Sequence, residues 1–189
     1  MKKPIINKIE FDVLNFQELY AVSVEYFLKI VTANLSISNE LVFPDLYEKL
    51  KLFIAEILSN YKKHSTSNIL NFKLFFYDDF MIVEIANQGN GFPLYDFKTE
   101  QTYFPPYPNQ LLKKDILISC IEKNLIFAYV VSPYEILFHK EKLEDIVKNY
   151  SYENFEEKFG LGIISELTSK VIYIQYPNNL NIFKYYIDF

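Results

Sequence analysis

The spacing of apolar and polar residues predicts a strand and a helix in the first part of the chain. Residues Lys8–Leu14 alternate between apolar and polar side chains, which predicts a strand. Asn15 precedes Glu18 by three residues, the spacing of a helix N-cap and its capping-box partner, so a helix is predicted from there to about Asn34. Its predicted buried stripe consists of Leu19, Val22, Tyr26, Phe27, Ile30 and Val31.

A second helix is predicted to begin at Pro44, because proline suits the first turn of a helix. Apolar residues at helical spacing then continue to the end of the helix near His64. This stripe consists of Leu46, Leu50, Phe53, Ile54, Ile57, Leu58 and Tyr61. An antiparallel hairpin of Ile69–Tyr77 and Met81–Ala86 follows.

The middle section, residues 93–158, is too long for a simple loop, so we predict structure of its own within it. It begins with the proline-rich stretch Tyr103–Pro108, whose aromatic side chains are predicted to pack, with capping of a pocket or binding of a partner as the alternatives. Two helices are predicted, Gln110–Lys123 and Tyr134–Asn149, around the apolar run Leu125–Val131. The section is therefore predicted to be a long helical insertion.

The end of the chain returns to short elements. A helix is predicted at Ile163–Ser169, followed by strands at Val171–Gln175 and Ile182–Ile187. The resulting order of elements predicts an α+β fold, a two-layer sandwich with helices on one face of a mixed sheet. Since no linker interrupts residues 1–189, a single domain is expected.

Composition and charge argue against several classes of protein. The net charge of −5 and the pI near 5.2 oppose binding to nucleic acid or to an anionic membrane surface. The single cysteine, Cys120, allows neither a disulfide framework nor a pair of zinc-binding cysteines, and it is predicted to lie in the core. No apolar run reaches the roughly 18 residues of a membrane span, so a cytoplasmic protein is expected.

The four glycines form two Gly-x-Gly units, one with Gly89 and Gly91 and the other with Gly160 and Gly162. Glycine is required where the backbone takes a positive φ or approaches a ligand closely. Two such units in a chain this poor in glycine favour two ligand-binding loops, with ordinary turns as the alternative.

Three polar residues fall on one flank of the second predicted helix, beside its apolar stripe. Glu56, Asn60 and Lys63 lie there together when each residue advances by about 100°. An amide oxygen can ligate Mg²⁺, a carboxylate can orient or deprotonate an attacking hydroxyl, and an ammonium can meet a phosphate. A solvated helix flank is the alternative.

Three segments in this order resemble the conserved boxes of the GHKL, or Bergerat-fold, ATPases. Glu56–Ser65 resembles the N box, Val83–Phe92 the first glycine box, and Phe159–Ile164 the second glycine box. Within that superfamily, the chain is most similar to the small anti-sigma-factor serine kinases and related kinases of partner-switching systems.

This resemblance implies a site for ATP and Mg²⁺. Glu56 would act as general base or orient water, Asn60 would hold Mg²⁺, and Lys63 would approach a phosphate. Asn87 stands where the family has an aspartate that accepts the adenine amine, and its carbonyl oxygen can accept the same hydrogen. Residues 93–158 would form an extended ATP lid. The glycine loops would contribute Gly89, Gly91, Lys158, Gly160, Leu161 and Gly162.

The resemblance leaves two functions open. The intact set of Glu56, Asn60 and Lys63 favours a kinase that phosphorylates a serine or threonine of an antagonist protein. The departures at Asn87 and at Lys158, which replaces a glycine of the fuller pattern, favour a non-catalytic module that sequesters a sigma factor or another regulatory partner. The family's habit of dimerisation implies a homodimer in either case.

Overall fold

The computed structural model describes residues 4–14, 20–35, 43–64, 67, 69–96, 99–121, 124–142 and 164–189. These residues form an α+β fold with a large antiparallel sheet and few helices. The helices are α1 (Tyr20–Asn34) and α2 (Phe43–His64), and residues 164–167 form a further helical turn. The strands are β1 (Asn7–Leu14), β2 (Ile69–Phe76), β3 (Phe80–Gln88), β4 (Leu94–Asp96), β5 (Gln101–Tyr103), β6 (Asp115–Ile121), β7 (Asn124–Ser132), β8 (Glu135–Lys142), β9 (Lys170–Tyr176) and β10 (Leu180–Asp188).

The main sheet has eight strands in the order β1-β2-β3-β10-β9-β8-β7-β6, while β4 and β5 form a separate hairpin. Every strand pair is antiparallel, so the prediction of a mixed sheet was wrong for the described strands. A crossover through one helix would return β2 parallel to β1. Here two helices intervene, and the additional reversal of the chain makes the two strands antiparallel.

The α2 helix packs its apolar stripe on one face of the sheet, as the sequence predicted. The aromatic rings of Phe53 and Tyr185 meet edge to face with centroids 5.2 Å apart, and those of Tyr61 and Phe183 at 6.2 Å. This places α2 over β10. The buried residues of the stripe are Leu50, Phe53, Ile54, Ile57, Leu58 and Tyr61, and burial of each stabilises the fold by about 1.5–3 kcal/mol.

The α1 helix buries only part of the predicted stripe: Phe27 and Val31 lie in the core, as predicted, and Ile30 packs against it. Val22 and Tyr26, assigned to the buried stripe, are 62% and 50% exposed. The buried residues are Val24, Phe27, Leu28 and Val31. This set has the spacing i, i+3, i+4, i+7. Because α1 carries apolar residues on more than one side, the pattern alone did not fix which side faces the sheet.

The prediction of a helical insertion was wrong for the described part of residues 93–158. Instead of the helices Gln110–Lys123 and Tyr134–Asn149, that part contributes β6, β7 and β8 to the main sheet. Strand β7, which lies between β6 and β8, is buried on both faces from Leu125 through Ala128. A strand buried on both faces has a continuous apolar run, which periodicity does not distinguish from a buried helix.

The other predicted elements are present with small differences in their ends. The hairpin of β2 and β3 and the final strands β9 and β10 are confirmed, and the helix predicted at Ile163–Ser169 spans 164–167 among the described residues. Residues 143–163 lie outside the described residues. None of the described helices is long and apolar enough to cross a membrane.

Candidate functional site

The loop after β3 requires glycine at position 91. Gly91 has φ = +94°, a conformation that disfavours residues with a side chain. A Cβ atom there would lie 2.7 Å from Cδ of Pro105 and 3.0 Å from Nε2 of Gln175. At the other end of the unit, the Gly89 amide donates to the carbonyl of Asn179 at 3.1 Å. The two glycines, Gly89 and Gly91, therefore belong to a closely packed loop and not to an exposed turn.

Two tyrosine hydroxyls hold the residue that follows this loop. The Phe92 amide donates to the Tyr173 hydroxyl at 3.0 Å, and that hydroxyl donates to Oδ1 of Asn181 at 2.8 Å. The Tyr107 hydroxyl donates to the Phe92 carbonyl at 2.6 Å. Burial raises the pKa of Tyr173 to about 12, so its hydroxyl remains neutral at physiological pH.

Three buried carboxamides lie side by side across neighbouring strands, at the end of the sheet where β3 leads into the Gly89–Gly91 loop. Asn87 in β3 pairs with Asn181 in β10, and Asn181 pairs with Gln175 in β9. All three are buried, on the face that α2 covers. The Asn87 carbonyl oxygen has no hydrogen-bond partner among the described residues, while its amide donates weakly to the Gln88 carbonyl at 3.4 Å. Since a buried acceptor without a partner costs about 1–3 kcal/mol, a ligand that donates to Asn87 would offset that cost.

The Tyr61 hydroxyl, near the end of α2, is a second buried polar group of this kind. It too has no partner within the described parts of the chain. Burial, together with the nearby Tyr185 and Tyr173, raises the pKa of Tyr61 well above its ordinary value. The hydroxyl therefore remains a neutral donor and acceptor. Tyr61 was predicted only as an apolar residue of the stripe, and its buried hydroxyl was not considered.

Glu56 and Asn60 lie on α2 at the edge of the core. Both are partly exposed, next to the buried Ile57 and Tyr61. Within the described residues, neither side chain takes part in a hydrogen bond or an ion pair. Lys63 belongs to the last turn of α2, but its side chain lies outside what the structure describes.

A cavity of about 120 Å³ opens on the helix-covered face above β7 to β10. Its floor is aromatic and includes Phe92, Phe138 and Phe183, and its rim includes Lys140 and Ser165. This volume is below the roughly 300 Å³ of the smaller ligand pockets, so the described walls would enclose only part of a nucleotide.

The cavity is lined by one residue that follows each glycine pair in sequence, but not by Glu56, Asn60, Asn87, Gly89 or Gly91. Phe92 directly follows Gly91, and Ile164 comes two residues after Gly162; both line this cavity. The residues of the second glycine box itself are outside the described residues, as are their predicted contacts. Those residues are Lys158, Gly160, Leu161 and Gly162.

The described side chains could bind Mg²⁺ only together with a phosphate group that supplies further ligands to the ion. The described residues contain no group of three or more histidine, cysteine, aspartate or glutamate side chains that could hold a metal. Mg²⁺ bound with a nucleotide needs few protein ligands, because phosphates and water complete its octahedral shell. The oxygens of Asn60 and Glu56 are compatible with that arrangement.

The fold and site define an α+β protein with an aromatic cavity and a row of buried carboxamides near a glycine loop. No protein-family model matches the sequence, and no curated protein sequence matches it.

Proposed function

We propose that this chain is an ATP-binding regulatory kinase with a GHKL-type site between α2, the loop after β3 and the residues that follow the second glycine pair. The observation that carries the proposal is that Phe92 and Ile164, which follow the two Gly-x-Gly units, line one cavity. Residues 72 positions apart in sequence thereby meet at a single concave site, which is where ligand sites most often occur. The aromatic floor suits a planar base.

Asn87 is assigned to the base of the nucleotide. Its buried carbonyl oxygen, without a partner among the described residues, would accept the amine hydrogen of adenine. Guanine carries a carbonyl where adenine carries that amine, so it would leave the Asn87 oxygen without a donor. A preference for adenine follows, because an unpaired buried polar group is costly.

Glu56 and Asn60 are assigned to the phosphate chemistry. Asn60 would hold Mg²⁺, which offsets the charge of the phosphates when bound. Glu56 would accept the proton of a serine or threonine hydroxyl as its oxygen attacks the γ-phosphorus and ADP leaves. The protein substrate would be an antagonist in a partner-switching system, and the kinase would act as a homodimer. The partial exposure of both side chains supports their access to a ligand.

A second candidate function is a non-catalytic module that sequesters a sigma factor or another regulator. Two observations favour it: Asn87 replaces a carboxylate of the family pattern, and β6 to β8 extend the sheet within the segment where an ATP lid was expected. Such a module would keep the nucleotide site without transferring phosphate.

Nucleotide binding is tested by thermal unfolding with Mg-ATP, Mg-ADP and Mg-GTP. A ligand at a hundredfold its Kd stabilises the native state by about 2.7 kcal/mol, a shift of several degrees in Tm. We expect this shift with the adenine nucleotides, a smaller one with Mg-GTP, and none for Asn60→Ala. Ser59→Ala, in the same helical turn, is the matched control and should respond as the parent does. No shift of the parent with any nucleotide would reject the proposed site.

Phosphoryl transfer is tested with labelled ATP and candidate partner proteins. The kinase hypothesis expects a labelled partner, and Glu56→Gln should abolish labelling while Mg-ATP still raises Tm. Labelling by Glu56→Gln at the parental rate would remove Glu56 from the chemistry. A partner that binds tightly without being labelled, in the presence of bound nucleotide, would instead favour the sequestering module.

A further inference from the structure

Lys140 brings a positive charge to the cavity from one of the strands that the sequence analysis did not predict. In β8, Phe138 and Lys140 are two residues apart and both line the cavity, so the Lys140 side chain points to the helix-covered face. Its Nζ donates to the carbonyl of Ser165 at 2.9 Å and lies 3.5 Å from Oε1 of Glu166. The ammonium therefore lies beside the helical turn that follows the second glycine pair.

The other basic residues that line the cavity direct their charged groups elsewhere. The Lys170 ammonium lies over the ring of Tyr186, 5.5 Å from its centroid. Tyr186 alternates along β10 with the buried Tyr185, so its ring is on the opposite face of the sheet. The His139 ring stacks on Phe127, also on that opposite face. Within the described residues, Lys140 thus supplies the cationic group of the cavity.

The cavity consequently has two chemically different ends. The end near Phe92 and Phe183 is aromatic, whereas the end near Ser165 carries the Lys140 ammonium. A nucleotide has the same polarity, with an apolar base at one end and anionic phosphates at the other. We propose that Lys140 contacts the phosphates of the bound nucleotide, with the base toward Phe92; this inference rests on the proposed nucleotide site.

The existing contacts of Lys140 leave it free to make that contact. An ammonium has three hydrogens to donate, and the Ser165 carbonyl takes one of them. The ion pair with Glu166 joins side chains that are 42% and 64% exposed, and such pairs contribute little to stability. A phosphate would therefore replace a weak contact. By the same argument, the Glu166 carboxylate repels the phosphates.

The test compares the affinities of ATP, ADP and adenosine by calorimetry in the parent and four variants. Lys140→Gln should weaken ATP binding about tenfold, a typical loss for a charge-assisted contact, and leave adenosine binding unchanged. Lys140→Arg should retain most of the ATP affinity. Lys114→Gln is the control, because this exposed lysine does not line the cavity, and it should bind all three ligands as the parent does. Glu166→Gln should bind ATP as well as the parent or more tightly.

The outcomes separate this inference from the proposed function. If the parent binds ATP and Lys140→Gln binds it equally well, only the Lys140 assignment fails. If Glu166→Gln weakens ATP binding as much as Lys140→Gln does, Lys140 acts as a structural tether and the assignment is overturned. The same conclusion follows if Lys140→Gln weakens adenosine binding as much as ATP binding. If the parent binds none of the three ligands, the proposed function fails and the assignment fails with it. Melting temperatures without ligand verify that each variant is folded.

Discussion

The hydroxyl of Tyr107 donates a hydrogen bond to the backbone carbonyl of Phe92 across 2.6 Å. Tyr107 comes from the proline-rich stretch, and its own amide donates to the Pro133 carbonyl at 2.7 Å. The Tyr173 hydroxyl binds the amide of Phe92 from the side of β9. The backbone immediately after Gly91 is therefore held from two sides.

Loss of the Tyr107 hydroxyl should destabilise the protein. Tyr107→Phe keeps the buried ring but leaves the Phe92 carbonyl without its donor, which should lower the free energy of unfolding by about 1–3 kcal/mol. Urea denaturation measures this change. Tyr134→Phe is the control, because Tyr134 is 48% exposed and its substitution should cost less than about 0.5 kcal/mol. Equal stability of both variants would show that the Tyr107 bond contributes nothing.

Alanine at position 91 should be costly for two independent reasons. The φ of +94° strains any residue with a side chain, and the new methyl group would lie 2.7 Å from Cδ of Pro105. We expect Gly91→Ala to lower the free energy of unfolding by about 1–3 kcal/mol, with a lower Tm in a thermal scan. Asn90→Ala, at the exposed neighbouring position, should leave Tm nearly unchanged. A Gly91→Ala protein that melts with the parent would contradict this account of the loop.

The fold could be predicted where a helix or strand has one buried and one polar side. The α2 helix and the hairpin of β2 and β3 have that contrast, and their bounds follow from it. The α1 helix and β7 lack it: α1 has apolar residues on several sides, and β7 is buried on both faces. For such elements, the choice between helix and strand, and of the buried side, depends on neighbours that lie far away in sequence.

The same limit applies to the candidate site. Local patterns identified Asn87 and the need for glycine at Gly91, because a strand end and a Gly-x-Gly unit are visible in a few residues. The roles of Tyr107 and Tyr173 were not predicted, because each depends on Phe92, which is 15 and 81 residues away. The position of Lys140 beside the cavity was not predicted for a further reason, since its segment was predicted to be a helix.

The protein buries several tyrosine hydroxyls, and this makes its stability sensitive to alkaline pH. Burial raises the pKa of Tyr173 to about 12. It also raises the pKa values of Tyr61, Tyr107 and Tyr185 above the ordinary value, with smaller contributions from neighbouring tyrosines at Tyr61 and Tyr107. In the unfolded chain a tyrosine ionises near pH 10. Above that pH the unfolded state binds fewer protons than the native state, so stability decreases as the pH rises. Among the residues that the structure describes, the buried tyrosines are Tyr61, Tyr107, Tyr173 and Tyr185.

The expected result is a free energy of unfolding that is nearly independent of the tyrosines below pH 10 and decreases steeply above it. Each tyrosine that stays protonated only in the native state adds about 1.4 kcal/mol per pH unit to the slope. Urea denaturation at a series of alkaline pH values measures the slope. Tyr185→Phe should reduce it, whereas Tyr176→Phe should not, because Tyr176 is 43% exposed. Ionisation of all tyrosines near pH 10 in the folded protein, seen by ultraviolet absorbance, would contradict the assigned burial, and with it the packing of Tyr61 and Tyr173 beside the candidate site.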